Sequence, residues 1–305
     1  MKKYILPILL VSTILLSCTK EVQIDIPGYV KTIVVDGSIT TGQPPIVLLS
    51  SSQDIFSPTN LQAYIDGFIS GAVVTVSNGT NTVTLTELCT NNLPAGSEAY
   101  VSAIFGIPED QLANFNLCAY TSLDPSIWGE VGKSYTLTVS HEGKTYTSIT
   151  TIGQPTALSS LTWQPAPGKD NAEMKGVLSD PPGQYDAYKW ELKYLKDPVY
   201  TKDFNPFFND QFFDGLTFDF DVSNPMGYAD TSITKQRNFH LGDTVVLKMS
   251  KLGKPEYSFF EKKYNQIYSG GNPFATPTNI PSNIDGGAYG VWVGYSPWYD
   301  TIICQ

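Results

Sequence analysis

Apolar and polar side chains alternate along most of this chain with a period of two, in short runs closed by glycine, proline or asparagine, so strands dominate the reading. The runs at 32–37 and 45–49 are mostly β-branched or apolar and bounded by glycine and proline, the form of buried strands. Strands at 72–77 and 82–86 flank Asn78-Gly79, two residues that tolerate the positive φ a tight hairpin turn requires. Strands at 134–140 and 144–151 flank His141-Glu142-Gly143 as a second hairpin, which places His141 in a solvated turn and not in a catalytic site. Between 93 and 115 the period changes. Tyr100, Val101, Ile104 and Phe105 recur at helical spacing, and Pro108 stands near the start of a second short helix.

The second half returns to strands at 158–163 and 174–178, then turns at Asp180-Pro181-Pro182-Gly183 into a strand at 185–195. On that strand Tyr188, Trp190, Leu192 and Tyr194 share one face. A further strand spans 244–249. Pro255 opens a helix over 255–268 with the apolar stripe Tyr257, Phe260, Tyr264 and Ile267, and Gly270-Gly271 closes it. The last strand, 289–303, is expected to break at Ser296-Pro297. The fold expected is mainly β: two sandwich domains of immunoglobulin- or transthyretin-like type. The first covers 31–152 with a helical insertion at 90–117; the second covers 153–305 and carries the amphipathic helix, with the boundary at Gly153-Gln154-Pro155.

The amino terminus follows another logic. Lys2 and Lys3 precede an apolar run, 4–16, which is shorter than the roughly 20 residues a membrane-spanning helix needs. It ends in Leu15-Leu16-Ser17-Cys18, which resembles the lipobox of bacterial lipoproteins. Residues 1–17 are therefore read as a signal peptide, Cys18 as the lipidated residue and 18–30 as a tether, with the acyl chains as the membrane contact. The following Thr19-Lys20-Glu21 resembles the export tag of surface-displayed Bacteroidota lipoproteins; surface-exposed and periplasm-facing orientations both stay open.

An oxidising compartment then sets the expectation for the other cysteines. Cys89 and Cys118 bracket the helical insertion and are expected to pair, the other reading being two buried free thiols; Cys304 has no evident role. No C-x-x-C spacing occurs and the two histidines, His141 and His240, are distant in sequence, so no metal site is expected. A net charge of −10 argues against nucleic acid, and 12% aromatic residues argue against disorder.

Little in the chain looks like catalytic chemistry. The string Gly294-Tyr295-Ser296-Pro297-Trp298 lacks the final glycine of a nucleophile elbow, His141-Glu142 has no second histidine for a zinc-protease helix, and no phosphate-binding glycine loop is present. A carboxylate pair for glycoside hydrolysis leaves no signature in spacing. The expectation is a binding protein without cofactor. Its candidate surface is the segment 203–221, which interleaves seven phenylalanines with Asp203, Asp210, Asp214, Asp219 and Asp221; Phe207, Phe208, Phe212 and Phe213 are the residues singled out. Exposed, they would mark a partner or ligand site; otherwise they pack over the second sandwich while the acids face water. A calcium loop is a further reading, although the spacing is not that of an EF-hand. A second aromatic group, Trp292, Tyr295, Trp298 and Tyr299, reads as a sugar-stacking platform or as the core face of an edge strand.

Several separated stretches carry a family resemblance. Cys18-Thr19-Lys20-Glu21-Val22 with Ile33-Val34-Val35-Asp36-Gly37, the strand 130–139, Asp180-Pro181-Pro182-Gly183, and the glycine-rich stretch 269–280 leading to Gly286-Gly287 are together similar to the Bacteroidota lipoproteins grouped as domain of unknown function 4249. The resemblance implies an outer-membrane lipoprotein, often encoded beside TonB-dependent receptors, with no catalytic residue to carry over. The expected function is thus a non-catalytic accessory of a TonB-dependent transporter. The alternative is a surface lipoprotein that binds or processes glycans.

Overall fold

The structure, a computed structural model, describes residues 30–53, 65–105, 107–167, 170–226, 238–269 and 279–305. The leader, Cys18 and nearly all of the tether lie outside the described residues, as do Gly270-Gly271 and most of the stretch 269–280.

The chain is mainly β, as its alternation predicts. The first half supplies β1 (Ile33–Thr40), β2 (Ile46–Ser51), β3 (Val73–Ser77), β4 (Thr82–Thr84), β5 (Thr86–Cys89), helix α1 (Glu98–Phe105), β6 (Cys118–Thr121), β7 (Ser134–His141) and β8 (Lys144–Thr151). The second supplies β9 (Ser160–Pro165), β10 (Asn171–Ser179), β11 (Ala187–Tyr194), β12 (Phe207–Asn209), β13 (Thr217–Val222), β14 (Phe239–His240), β15 (Thr244–Leu252), helix α2 (Lys254–Ser269) and β16 (Tyr289–Ile303). One eight-stranded sheet runs β12-β11-β15-β16-β1-β2-β6-β5. Two four-stranded sheets accompany it: β4-β3-β7-β8, and β10 flanked by β9, β13 and β14.

Each small sheet covers a different part of the long one. Val35, Ile39, Val47 and Leu49 form a core with Val74, Val76, Leu137 and Val139. Tyr188, Leu192, Val245, Leu247 and Met249 form another with Ala172, Met174 and Leu178. Each valine, leucine, isoleucine or methionine among them contributes roughly 1.5–3 kcal/mol when taken from water. On the second half of the long sheet, α2 covers the other face, setting Phe260 against Ala187, Phe207, Leu252, Val291 and Val293. The long sheet is therefore shared by two sandwiches.

The element that joins them is β16. Its first residues pair in parallel with β1, from Val34 opposite Tyr289 to Thr40 opposite Tyr295. From Ser296 onward it pairs antiparallel with β15. The expected break at Ser296-Pro297 does not occur: the strand continues through Pro297, opposite Ser250, and this is where pairing to β15 takes over from pairing to β1. The parallel contact demands a glycine, because Gly290 has φ 122° and a Cβ there would fall on the Val35 carbonyl oxygen.

Turn chemistry follows the sequence closely. Gly79 takes φ 86°, and the Asn78 carboxamide oxygen accepts from the N–H groups of Thr80 and Asn81 at 3.1 and 2.8 Å. The second arm of that hairpin, expected as one strand over 82–86, divides. Residues 82–84 stay with β3, and β5 crosses to the long sheet to pair with β6. Glu142 and Gly143, both with positive φ, make the β7–β8 turn, and His141 ends β7 opposite Lys144. Cys89 and Cys118 stand opposite each other on β5 and β6, with Cα atoms 4.1 Å apart, and are bonded. The bridge closes α1 and the short 3₁₀ turn Glu109–Asn114 into one loop and stabilises it by roughly 3–4 kcal/mol in the chain-entropy view.

Where α2 meets the first sandwich, a carboxyl group is buried. Glu256 is 3% exposed; its Oε1 accepts from the Thr150 hydroxyl at 2.6 Å, and its Oε2 has no hydrogen-bond partner among the described residues. Burial raises its pKa above the ordinary carboxylate value, and the Thr150 hydroxyl offsets this only in part. Folded chains thus hold this proton to higher pH than unfolded ones, so the group costs stability increasingly as pH rises above the usual glutamate range. Glu256→Gln is expected to be nearly neutral in urea unfolding at about pH 4 and stabilising by roughly 1 kcal/mol at about pH 8. The favourable charge at the helix start that is lost, roughly 0.3–1 kcal/mol, limits the gain.

Candidate functional site

The segment 203–221 joins the edge of the long sheet to the edge of a small one. Its first part forms β12, pairing Phe207 and Phe208 with Lys189 and Tyr188 of β11. Its last part forms β13, pairing with β10 from Met174 opposite Val222 to Ser179 opposite Thr217. Both are terminal strands of their sheets, so the segment crosses the open side of the second sandwich. Neither strand was expected from the sequence, although Thr217-Phe218-Asp219-Phe220-Asp221 alternates in the required way.

Two of the four singled-out phenylalanines are buried. Phe207 stacks on Phe260 of α2 with ring centres 4.2 Å apart, and Phe213 stacks on Phe218 at 4.8 Å. Phe208, half-buried, lies on Tyr188 at 5.2 Å. Phe212 is 88% exposed at the turn, with Phe204 and Phe218 also exposed. An apolar cavity of about 300 Å³ opens beside it, lined by Trp190, Asn205 and every phenylalanine of the segment except Phe204. The rings therefore both complete the core and leave an aromatic cup at its edge.

The acids do not simply face water. Asp180, Asp186 and Asp210 are buried, and each holds the backbone or a neighbouring side chain. Asp180 accepts from the Tyr188 hydroxyl at 3.0 Å and from Gly215 N–H at 3.2 Å. Asp210 accepts from Asp186 N–H at 2.8 Å, and exposed Asp214 accepts from Gly183 N–H at 2.8 Å. These bonds pin the turn that carries Phe212 to the Asp180-Pro181-Pro182-Gly183 turn. Oxygens of Asp180, Asp210 and Asp214 lie within 4.8 Å of one another, a spacing that a hard cation also uses. Here the N–H and O–H groups named above already engage an oxygen of each. Burial raises the Asp180 pKa, opposed by the Gly215 and Tyr188 hydrogen bonds and reinforced by the charges of Asp186 and Asp210. The ammonium of Lys251 meets Asp186 at 2.6 Å.

Next to this turn lies a polar cleft of about 610 Å³ whose walls include Gln184, Tyr185, Asn209, Lys254, Tyr257 and Glu261. The Lys254 ammonium stands 5.1 Å from the Tyr185 ring centre, and burial pushes the Tyr185 hydroxyl up to about 12. Sequence reading missed this cleft because its residues come from three elements, with no shared spacing to mark them.

The second aromatic group does not form a platform. Even-numbered Trp292 and Trp298 face the cores, and odd-numbered Tyr295 and Tyr299 the opposite side, because side chains alternate along β16. Trp292 is 0% exposed and donates its indole N–H to the Tyr135 carbonyl at 2.9 Å, so it is closed to any outside ligand. Tyr295 lies beneath the Lys189 ammonium at 5.2 Å, and Trp298 packs against the second core.

The family model described as Domain of unknown function (DUF4249) matches residues 19–297, through both sandwiches to the changeover in β16. The chain belongs to that family. The DUF4249 match includes the whole segment 203–221, the acid cluster and the polar cleft, so these features sit inside the family's own domain. No curated protein matches the chain. No helix among the described residues is long and apolar enough to cross a membrane.

Proposed function

We propose that this DUF4249 protein is an outer-membrane lipoprotein, anchored through lipid on Cys18, that acts by binding and serves as an accessory to a TonB-dependent transporter. The Leu-Leu-Ser-Cys ending of the leader supports the anchor. The observation that carries the binding role is Phe212, 88% exposed beside an aromatic cavity of about 300 Å³. Fully burying such a ring against a partner gains roughly 1.5–3 kcal/mol, a large share of a typical hot spot. Deleting 207–213 would remove Phe207, Asp210 and Phe213 from the folded body, so a point change is the better probe. Co-purification from native membranes should recover a transporter with the intact protein and lose most of it with Phe212→Ala. Leu195→Ala, at another exposed apolar position, should leave recovery unchanged. Equal recovery with Phe212→Ala overturns the placement.

The polar cleft favours a second reading, a surface glycan-binding lipoprotein, because its two tyrosines, three carboxamides and Glu261 are the groups that hold sugar rings and hydroxyls. Selective retention on a glycan array, in place of a membrane partner, would favour it.

A further inference from the structure

We infer that the aromatic cup at the edge of the second sandwich is a site for a small organic cation bearing an alkylated ammonium group. The inference rests on the binding reading of segment 203–221 and names the ligand class. The cup's walls are the Trp190 indole and six phenylalanine rings, with Asn205 the only polar side chain among them. Aromatic ring faces attract cations, and cages of such rings are the usual receptor for quaternary ammonium groups.

Charge selects among the occupants that would fit an apolar cavity. The segment holds five aspartates, of which Asp221 is paired with Lys175 at 3.0 Å, and no lysine, arginine or histidine. Asp210 and Asp214 line the adjoining polar cleft together with Lys254, not the cup itself, but they stand within two residues of Phe212, so their Cα atoms lie within roughly 8 Å of its own. Lys251 is spent on Asp186, and no salt bridge reaches Asp180, Asp210 or Asp214 among the described residues. An anionic ligand, a fatty acid included, would enter against that field. A sugar is disfavoured on separate grounds: the Asn205 carboxamide oxygen already accepts from Phe207 N–H at 3.2 Å, so buried hydroxyls would find few partners. A cation gains from the rings directly and from the carboxylates of the neighbouring cleft only through their longer-range field.

Isothermal titration of the purified protein with choline and with its carbon isostere dimethylbutanol, in which a tert-butyl group replaces trimethylammonium, isolates the charge. Choline should bind on the order of tenfold more tightly. Its advantage should shrink at about 0.5 M salt. Phe212→Ala removes a ring that is 88% exposed, so it should weaken choline about fivefold with an unchanged melting temperature. Equal affinity for the two compounds, or binding of neither, overturns the inference. Either failure leaves transporter co-purification by the intact protein untouched, and an intact protein that binds choline but recovers no transporter would instead overturn the accessory role alone.

Discussion

Trp292→Ala should lower the unfolding free energy by about 4 kcal/mol in urea titration, close to the limit for a single core truncation. The indole lies in the first core with no exposed surface, opposite Gly37 in the parallel β1–β16 register. The fit is close: a Cβ on Gly37 would come within 2.7 Å of Trp292 Cε3, so the backbone of β1 has given up its side chain to admit the ring. Truncation opens a cavity that rigid strands on both sides cannot fill. It also strips the Tyr135 carbonyl of its indole donor, a second loss. Trp292→Phe separates the two contributions and should cost about 1–3 kcal/mol, since most of the volume is kept. A cost below about 1 kcal/mol for the alanine variant would mean that β16 does not hold the first core closed in the way described.

Lys251→Met is expected to cost about 3–5 kcal/mol at neutral pH, the usual result of removing one partner of a buried pair. Its ammonium is the cationic partner of Asp186, whose side chain is only 2% exposed. Asp186 sits among Asp180, Asp210 and Asp214, so the loss leaves four carboxylates around one turn without that compensation. Asp186→Asn combined with Lys251→Met should recover most of the loss, because a neutral amide can keep contact with the Tyr188 hydroxyl and the Gln184 side chain. If the single variant unfolds at the same urea concentration as the parent, the acids are screened by water and the cluster is not the buried structure argued for here. The same variants bear on the aromatic cup, since the turn these acids fix is the one that presents Phe212.

Much of this arrangement was legible before any coordinate, and the parts that were share a physical property. Gly79 and Gly143 specify their turns through a positive φ open to few other residues, and Asn78 adds its side-chain hydrogen bonds to Thr80 and Asn81. The stripe Tyr257, Phe260, Tyr264 specifies α2 because apolar positions at helical spacing fall on one face. The Cys89–Cys118 pairing was legible from the change of pattern between the two cysteines. The aromatic segment was recognisable as unusual, but its division into core and surface was not. Phe207 and Phe212 have the same side chain, and only the packing of α2 against β12 decides that one is stacked and the other open.

What the sequence by itself determined is everything set by neighbours along the chain: the mainly β character, the turns and the amphipathic helix. What only the tertiary structure decided is which strands meet. Backbone N–H and C=O groups are alike in every residue but proline, so apart from Pro297 an edge of β16 carries no local mark saying that it pairs first with β1, more than 250 positions away, and then with β15. The sharing of one sheet by two cores, the gathering of Asp180, Asp186, Asp210 and Asp214, and the opening of the aromatic cup all descend from that long-range pairing. Its free energy is collected only when both faces of the sheet are covered.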